Sequence, residues 1–103
     1  MFNIISRRTL LEAIGKHPQA KVALLQWYHE LLNAEFNNFN EVKAIYKNAS
    51  LVGDDRVVFN IKGNQYRLVV RIVFLYKTIQ IKWFGTHKAY DQIDVMRVPF
   101  KKK

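Results

Sequence analysis

The stretch from Arg56 to Arg71, RVVFNIKGNQYRLVVR, decides the fold, because it alternates apolar and polar side chains on both sides of a Gly63-Asn64 turn signal. Strict alternation is the period of a strand with two unlike faces. Gly-Asn suits a two-residue type I′ turn, which needs positive φ at both central positions. That turn places Asn60 opposite Arg67, Val58 opposite Val69, and Arg56 opposite Arg71. Two arginines facing each other across a ladder destabilise it by up to about 1 kcal/mol, so something must offset them.

The alternation continues downstream. Val57, Phe59, Ile61, Tyr66, Leu68, Val70, Ile72 and Phe74 share one face, and a third strand adds Ile79, Ile81 and Trp83. The other face reads Arg56, Val58, Asn60, Lys62, then Arg67, Val69, Arg71, Val73, then Gln80, Lys82 and Phe84. A two-residue loop at Tyr76-Lys77 sets Lys82 opposite Arg71 and Thr86 opposite Arg67. One side is then an apolar floor and the other a basic surface, with Arg56, Arg71 and Lys82 in a row across three strands.

Upstream the period changes to that of helices. Met1–Ile5 is short and strand-like; Ser6 and Thr9 compete to cap a helix over Arg7–Lys16, with Glu12 three residues after Thr9. Pro18 opens a second helix with a wide apolar stripe, ending near Phe36-Asn37-Asn38, and Asn40 caps a third over Glu41–Lys47. After Gly85, Thr86 can cap a terminal helix over His87–Ile93. The expected fold is α+β: a small antiparallel sheet with an N-terminal helical hairpin packed on one face and a short C-terminal helix. All 103 residues are expected to form one domain, with 96–103 a basic, flexible tail.

Composition narrows the function. Half the residues are hydrophobic, enough for a core, and cysteine is absent, which excludes disulfides and thiolate metal sites. A reduced, cytoplasmic compartment is the expected setting. MFNIISRR lacks the pattern of a secretory signal, and no apolar run approaches the roughly 18 residues of a membrane span. Charge is distributed unevenly: residues 1–50 carry a net +2 and residues 51–103 a net +7. Such asymmetry suits a polyanionic partner, most often nucleic acid, although a solubilising surface with a basic tail produces the same sum.

The candidate chemistry lies in Gly85-Thr86-His87-Lys88-Ala89-Tyr90-Asp91. On a helix, His87 shares a face with Tyr90 or Asp91. An imidazole titrates near pH 6.5 and can give or take a proton, and a phenol near arginines is a second proton carrier. Arginine can hold a phosphate and stabilise the charge of a pentacoordinate phosphorus. The set suits metal-free RNA cleavage by the 2′-hydroxyl. His87 at a helix start and Tyr90 as a packing aromatic are equally compatible with structural roles. His17 and His29 have no partner at metal-ligand spacing, and there is neither a phosphate-binding glycine loop nor a nucleophile elbow.

The segments VKAIYKNASLVGDDRVVFNIKGNQYRLVVRI and WFGTHKAYDQID resemble the HigB family of bacterial toxins, within the RelE/ParE superfamily. The resemblance runs from the opening strand to Asp94. It implies a RelE/ParE-like fold and a ribosome-dependent messenger RNA endoribonuclease that arrests growth and needs no cofactor. Its implied partners are the ribosome and mRNA, with no membrane. A HigA-like helix-turn-helix antitoxin is also implied, through which alone the complex meets operator DNA. By position, the resemblance makes Arg67, His87 and Tyr90 the catalytic candidates and Lys62, Arg71 and Lys82 RNA-binding ones; Arg56 and Asn60 on the basic face and Lys88 in the terminal segment complete the RNA-binding candidates. A histidine in GTHKAYD and a longer helical half depart from RelE, so base and acid are not assigned. A ParE-like inhibitor of DNA gyrase shares the fold, and a non-catalytic RNA-binding sheet is the other alternative. An RNA-reading sheet stacks bases on aromatics, and on the expected register the basic face offers only Phe84.

Overall fold

Alternating strands and two helical stripes settle into one arrangement in the computed structural model, which describes residues 1–93. The order is β1 (Asn3–Ile5), α1 (Arg7–Lys16), α2 (Lys21–Leu32), α3 (Phe39–Ile45), β2 (Ser50–Gly53), β3 (Arg56–Ile61), β4 (Tyr66–Val73), β5 (Thr78–Thr86) and α4 (His87–Tyr90). The five strands form one sheet in the order β1-β5-β4-β3-β2. It is antiparallel except at one edge, where β1 runs parallel to β5. The α+β layout is the expected one; β2 and the parallel edge are additions. The basic tail expected at 96–103 and the end of the family match at Asp94 lie outside the described residues.

Helix ends follow side-chain capping. Ser6 rather than Thr9 caps α1, its hydroxyl accepting from the Thr9 amide at 3.0 Å. Pro18–Ala20 forms a separate 3-10 turn, and α2 stops at Leu32, earlier than expected, where the Asn33 side chain bonds back to the His29 carbonyl. α3 is capped by Asn38 instead of Asn40: Asn38 accepts from the Glu41 amide and Glu41 accepts from the Asn37 amide. A cap with Glu three residues on satisfies two helix-end donors together, which an Asn40 start would forgo. α4 has the expected Thr86 cap but is one turn long.

The core lies between the helices and one face of the sheet. Leu10, Leu24, Trp27, Leu31 and Val42 meet Val57, Phe59, Leu68, Val70, Ile72 and Ile79 there. Phe59 sits at the centre, edge-on to both Trp27 (5.6 Å) and Tyr46 (5.1 Å). Leu11, Val22 and Ile45, on the outer sides of their helices, are exposed.

β3 and β4 pair in the expected register, Asn60 with Arg67, Val58 with Val69, Arg56 with Arg71. The turn differs: positive φ falls on Lys62 and Gly63 rather than on Gly63 and Asn64. The β4–β5 register departs from expectation. Phe74–Tyr76 coils into a 3-10 turn and Lys77 takes φ 50°, so Val73 faces Thr78 and Arg71 faces Gln80, not Lys82. A bulge then shifts the ladder between Val70–Ile81 and Val69–Trp83, with Lys82 as the extra residue. An extra residue reverses the side-chain parity beyond it. Phe84 therefore packs against the core on the helical side, and Trp83 joins the opposite face. Both are corrections to the sequence reading, and Thr86 now faces Tyr66 while Arg67 faces Gly85.

Candidate functional site

The face away from the helices carries three rows: Arg56–Arg71–Gln80, Val58–Val69–Trp83, and Asn60–Arg67–Gly85. Four residues of strand separate the first row from the third, about 13 Å.

At the first row the facing arginines have counter-charges. Arg56 Nε lies 3.9 Å from Asp54 Oδ2, and Arg71 Nη2 lies 3.7 Å from Asp55 Oδ2. Both aspartates take left-handed φ in the β2–β3 turn, a conformation Asp tolerates better than most residues. The expected row of unpaired cations is thus corrected to a cluster with its own acids. Lys82 belongs to it through the bulge rather than through pairing. Its ammonium is pushed below the usual lysine range by burial, and further by Arg56 and Arg71. Arg56 is only 8% exposed. Val58 and Val69, which alternate with the cations on this face, are also buried and are not open surface.

The third row holds Arg67. Its Nη2 donates to Asn64 Oδ1 at 2.8 Å, and its Nη1 reaches the Asn64 and Tyr66 carbonyls at 3.4 and 3.3 Å. The turn thereby holds the guanidinium, while N–H groups on Nε and Nη2 remain for an anion. Alongside it, the His87 amide donates to the Gln65 carbonyl at 2.9 Å. This ties the start of α4 to the β3–β4 turn, so Arg67, His87 and Tyr90 gather at one end of the sheet. His87 Nδ1 lies 3.9 Å from Asp91 Oδ1, an ion pair when the imidazole is protonated. Tyr90 packs on Trp83, ring centres 6.2 Å apart.

Gly85 makes that packing possible. A Cβ there would lie 2.6 Å from the Trp83 ring, so the indole lies across the glycine. Gly85→Ala is expected to displace the indole, cost about 1–3 kcal/mol, and shift the Trp83 indole N–H signal in an NMR spectrum. Unchanged stability together with an unchanged signal would refute the packing argument.

Of the sequence-read residues, Arg67, His87 and Tyr90 come together, with Asn60 in the same row and Lys62 and Lys88 exposed nearby on the turn and on α4. Arg56, Arg71 and Lys82 form the separate cluster. The sequence reading missed Asn64 as the holder of Arg67, and Trp83, whose side of the sheet depends on the bulge. Among the described residues, no group of three or more His, Cys, Asp or Glu side chains comes together to hold a metal ion, and no helix is long and apolar enough to cross a membrane.

Residues 20–93 match the family described as HigB_toxin, RelE-like toxic component of a toxin-antitoxin system. The chain is 29% identical over 91 residues to the "mRNA interferase toxin HigB" of Escherichia coli (strain K12), covering 86% of this chain and 88% of the relative. Identity and coverage are the same for the "mRNA interferase HigB" of Escherichia coli O157:H7 and of Shigella flexneri.

Proposed function

The chain belongs to the HigB family of RelE-like toxins of toxin–antitoxin systems, and from that membership we propose that it is an mRNA interferase: a ribosome-dependent endoribonuclease that stops translation. The observation that carries the reading is the convergence of Arg67, His87 and Tyr90, fixed by the Asn64 and Gln65 contacts at one end of a basic sheet face. Arg67 neutralises the scissile phosphate through its remaining N–H groups. The 2′-hydroxyl oxygen attacks phosphorus, its proton passes to a base, and the bond to the 5′-oxygen breaks as an acid protonates that oxygen. His87 and Tyr90 are the two proton carriers, one on each side of the phosphate, and the Asp91 carboxylate lies 3.9 Å from the imidazole. The products are a 2′,3′-cyclic phosphate and a 5′-hydroxyl.

Arg71, Lys82, Lys62 and Lys88 hold the flanking backbone. Arg56 acts from beneath, raising the local potential and, with Asp54, fixing the edge of the cluster. Each phosphate contact releases counterions, so binding weakens with salt. Lys82→Ala is expected to weaken RNA binding and to reduce the slope of log affinity against log salt by about 0.7, read by anisotropy with a non-cleavable oligonucleotide. An unchanged slope would remove Lys82 from the interface. Neutralisation by a cognate HigA-like helix-turn-helix antitoxin, with operator binding through that complex, completes the proposed system.

The function is tested by mapping transcript ends after induction. Cuts within translated frames are expected, and their loss when translation initiation is blocked separates a ribosome-dependent enzyme from a free ribonuclease. DNA damage without RNA cuts would instead identify a ParE-like gyrase inhibitor.

A further inference from the structure

Beside the Lys62–Gln65 turn, on the helical side, lies a cleft of about 170 Å³ that the cleavage chemistry does not use. Gln26, Trp27 and Glu30 of α2 line it, with Tyr46 after α3 and Asn60 and Lys62 at the end of β3. It opens where β3 has lost its neighbour, since β2 pairs only with Arg56, Val57 and Val58. Room for several waters, at about 30 Å³ each, is room for one flat ring rather than a whole nucleotide.

Two features of this cleft point to a ligand. Trp27 is 3% exposed, and its indole Nε1–H is buried without a hydrogen-bond partner. A buried donor left unpaired costs about 1–3 kcal/mol, which an acceptor in the cleft would recover. Glu30 supplies the opposite demand: one oxygen accepts from Gln26 Nε2 at 3.0 Å, the other from the Tyr46 hydroxyl. Each carboxylate oxygen retains a lone pair, so the carboxylate is held in place and can take two more donors side by side.

We propose that this cleft binds an unstacked guanine base. The ligand must offer an acceptor to Trp27 and a pair of adjacent donors to Glu30. A lysine or arginine side chain has donors only and leaves the indole unsatisfied. Guanine presents N1–H and N2–H together on its Watson–Crick edge, with O6 and N7 as acceptors. Adenine and cytosine place a ring acceptor beside their amino group, which meets the carboxylate with repulsion, and uracil has a single N–H. Splayed bases read by amides and carboxylates against aromatic rings are the usual mode of single-stranded RNA recognition. That the base arrives on RNA rests on the function proposed above; that the cleft takes guanine does not.

The test is therefore binding of the nucleoside, with no phosphate to engage the basic face. In the complete chain, the two indole N–H signals, Trp27 and Trp83, are followed by NMR during titration with guanosine and, separately, adenosine. Guanosine is expected to shift the Trp27 signal saturably, at least about tenfold more tightly than adenosine, and Glu30→Gln to remove that preference. Trp27→Phe, which retains a ring without the N–H, is expected to weaken guanosine binding several-fold, read from the Gln26 side-chain amide. No movement of Trp27 up to millimolar guanosine, equal response to adenosine, or a preference that survives Glu30→Gln would overturn the proposal. Cleavage enters none of these readouts, so a failure of the ribonuclease reading and a failure of the guanine site are told apart.

Discussion

Alanine at His87 is expected to slow RNA cleavage by about 10²- to 10⁴-fold, the usual contribution of a positioned acid or base, and to relieve growth arrest on induction. Arg67→Ala is expected to cost about 10²- to 10³-fold, like the loss of one donor to a developing oxyanion. Arg67→Lys should recover little, because lysine lacks the planar fork that Asn64 Oδ1 and the Asn64 and Tyr66 carbonyls now hold in place. Tyr90→Phe removes the hydroxyl and retains the packing on Trp83, so it separates proton chemistry from support. If Tyr90→Phe is fully active while Tyr90→Ala is not, the tyrosine is a positioning residue. Undiminished cleavage in His87→Ala, Tyr90→Ala and Arg67→Ala alike would discard the site. Circular dichroism of each variant distinguishes lost chemistry from lost fold, and with His87 46% exposed and on the short α4 its replacement should leave the core intact.

The largest expected loss of stability is at Phe59. Phe59→Ala should cost about 3–5 kcal/mol in denaturant unfolding, the range for emptying an aromatic site in a packed core. Phe59 is 1% exposed, opposite Leu68 in the ladder, and edge-on to both Trp27 and Tyr46. The cavity would thus open where α2, the end of α3 and the sheet meet, and no single neighbour can move to close it. Leu75→Ala, 82% exposed in the β4–β5 turn, is the control and should stay within about 0.5 kcal/mol. A loss under 1 kcal/mol at Phe59 would mean that the three layers are held by other contacts.

The alternation from Arg56 to Arg71 was sufficient to place Arg67 beside Asn60, because parity survives a change of turn conformation. Lys62 and Gly63 took the left-handed positions expected of Gly63 and Asn64, and the ladder was unaffected. The next hairpin offered no such protection. Nothing in Phe74-Leu75-Tyr76-Lys77 announces a 3-10 turn, and nothing in Ile81-Lys82-Trp83 announces a bulge, since both depend on what the Phe74 ring and the two strands meet in three dimensions. Trp83 and Phe84 were therefore read on each other's faces. The apparent lack of aromatics other than Phe84 on the basic face was a consequence of that misreading. The counter-charges of Arg56 and Arg71 were in plain view as Asp54-Asp55, but only the folded turn brings those carboxylates back to the strands. His87 and Tyr90 were legible because their spacing and the Thr86 cap are local.

The bulge at Lys82 divides β5 into two segments with separate obligations. Ile79 and Ile81 ahead of it answer to the helices; Trp83 and Gly85 beyond it answer to Tyr90 and Arg67. Substitutions in either segment can accumulate without disturbing the other. The pairing across the bulge has no such freedom. A ladder that paired Lys82 with Val69 in place of the bulge would turn Trp83 toward the helices and Phe84 toward Tyr90, exchanging the residues that face the core and Tyr90 in a single step.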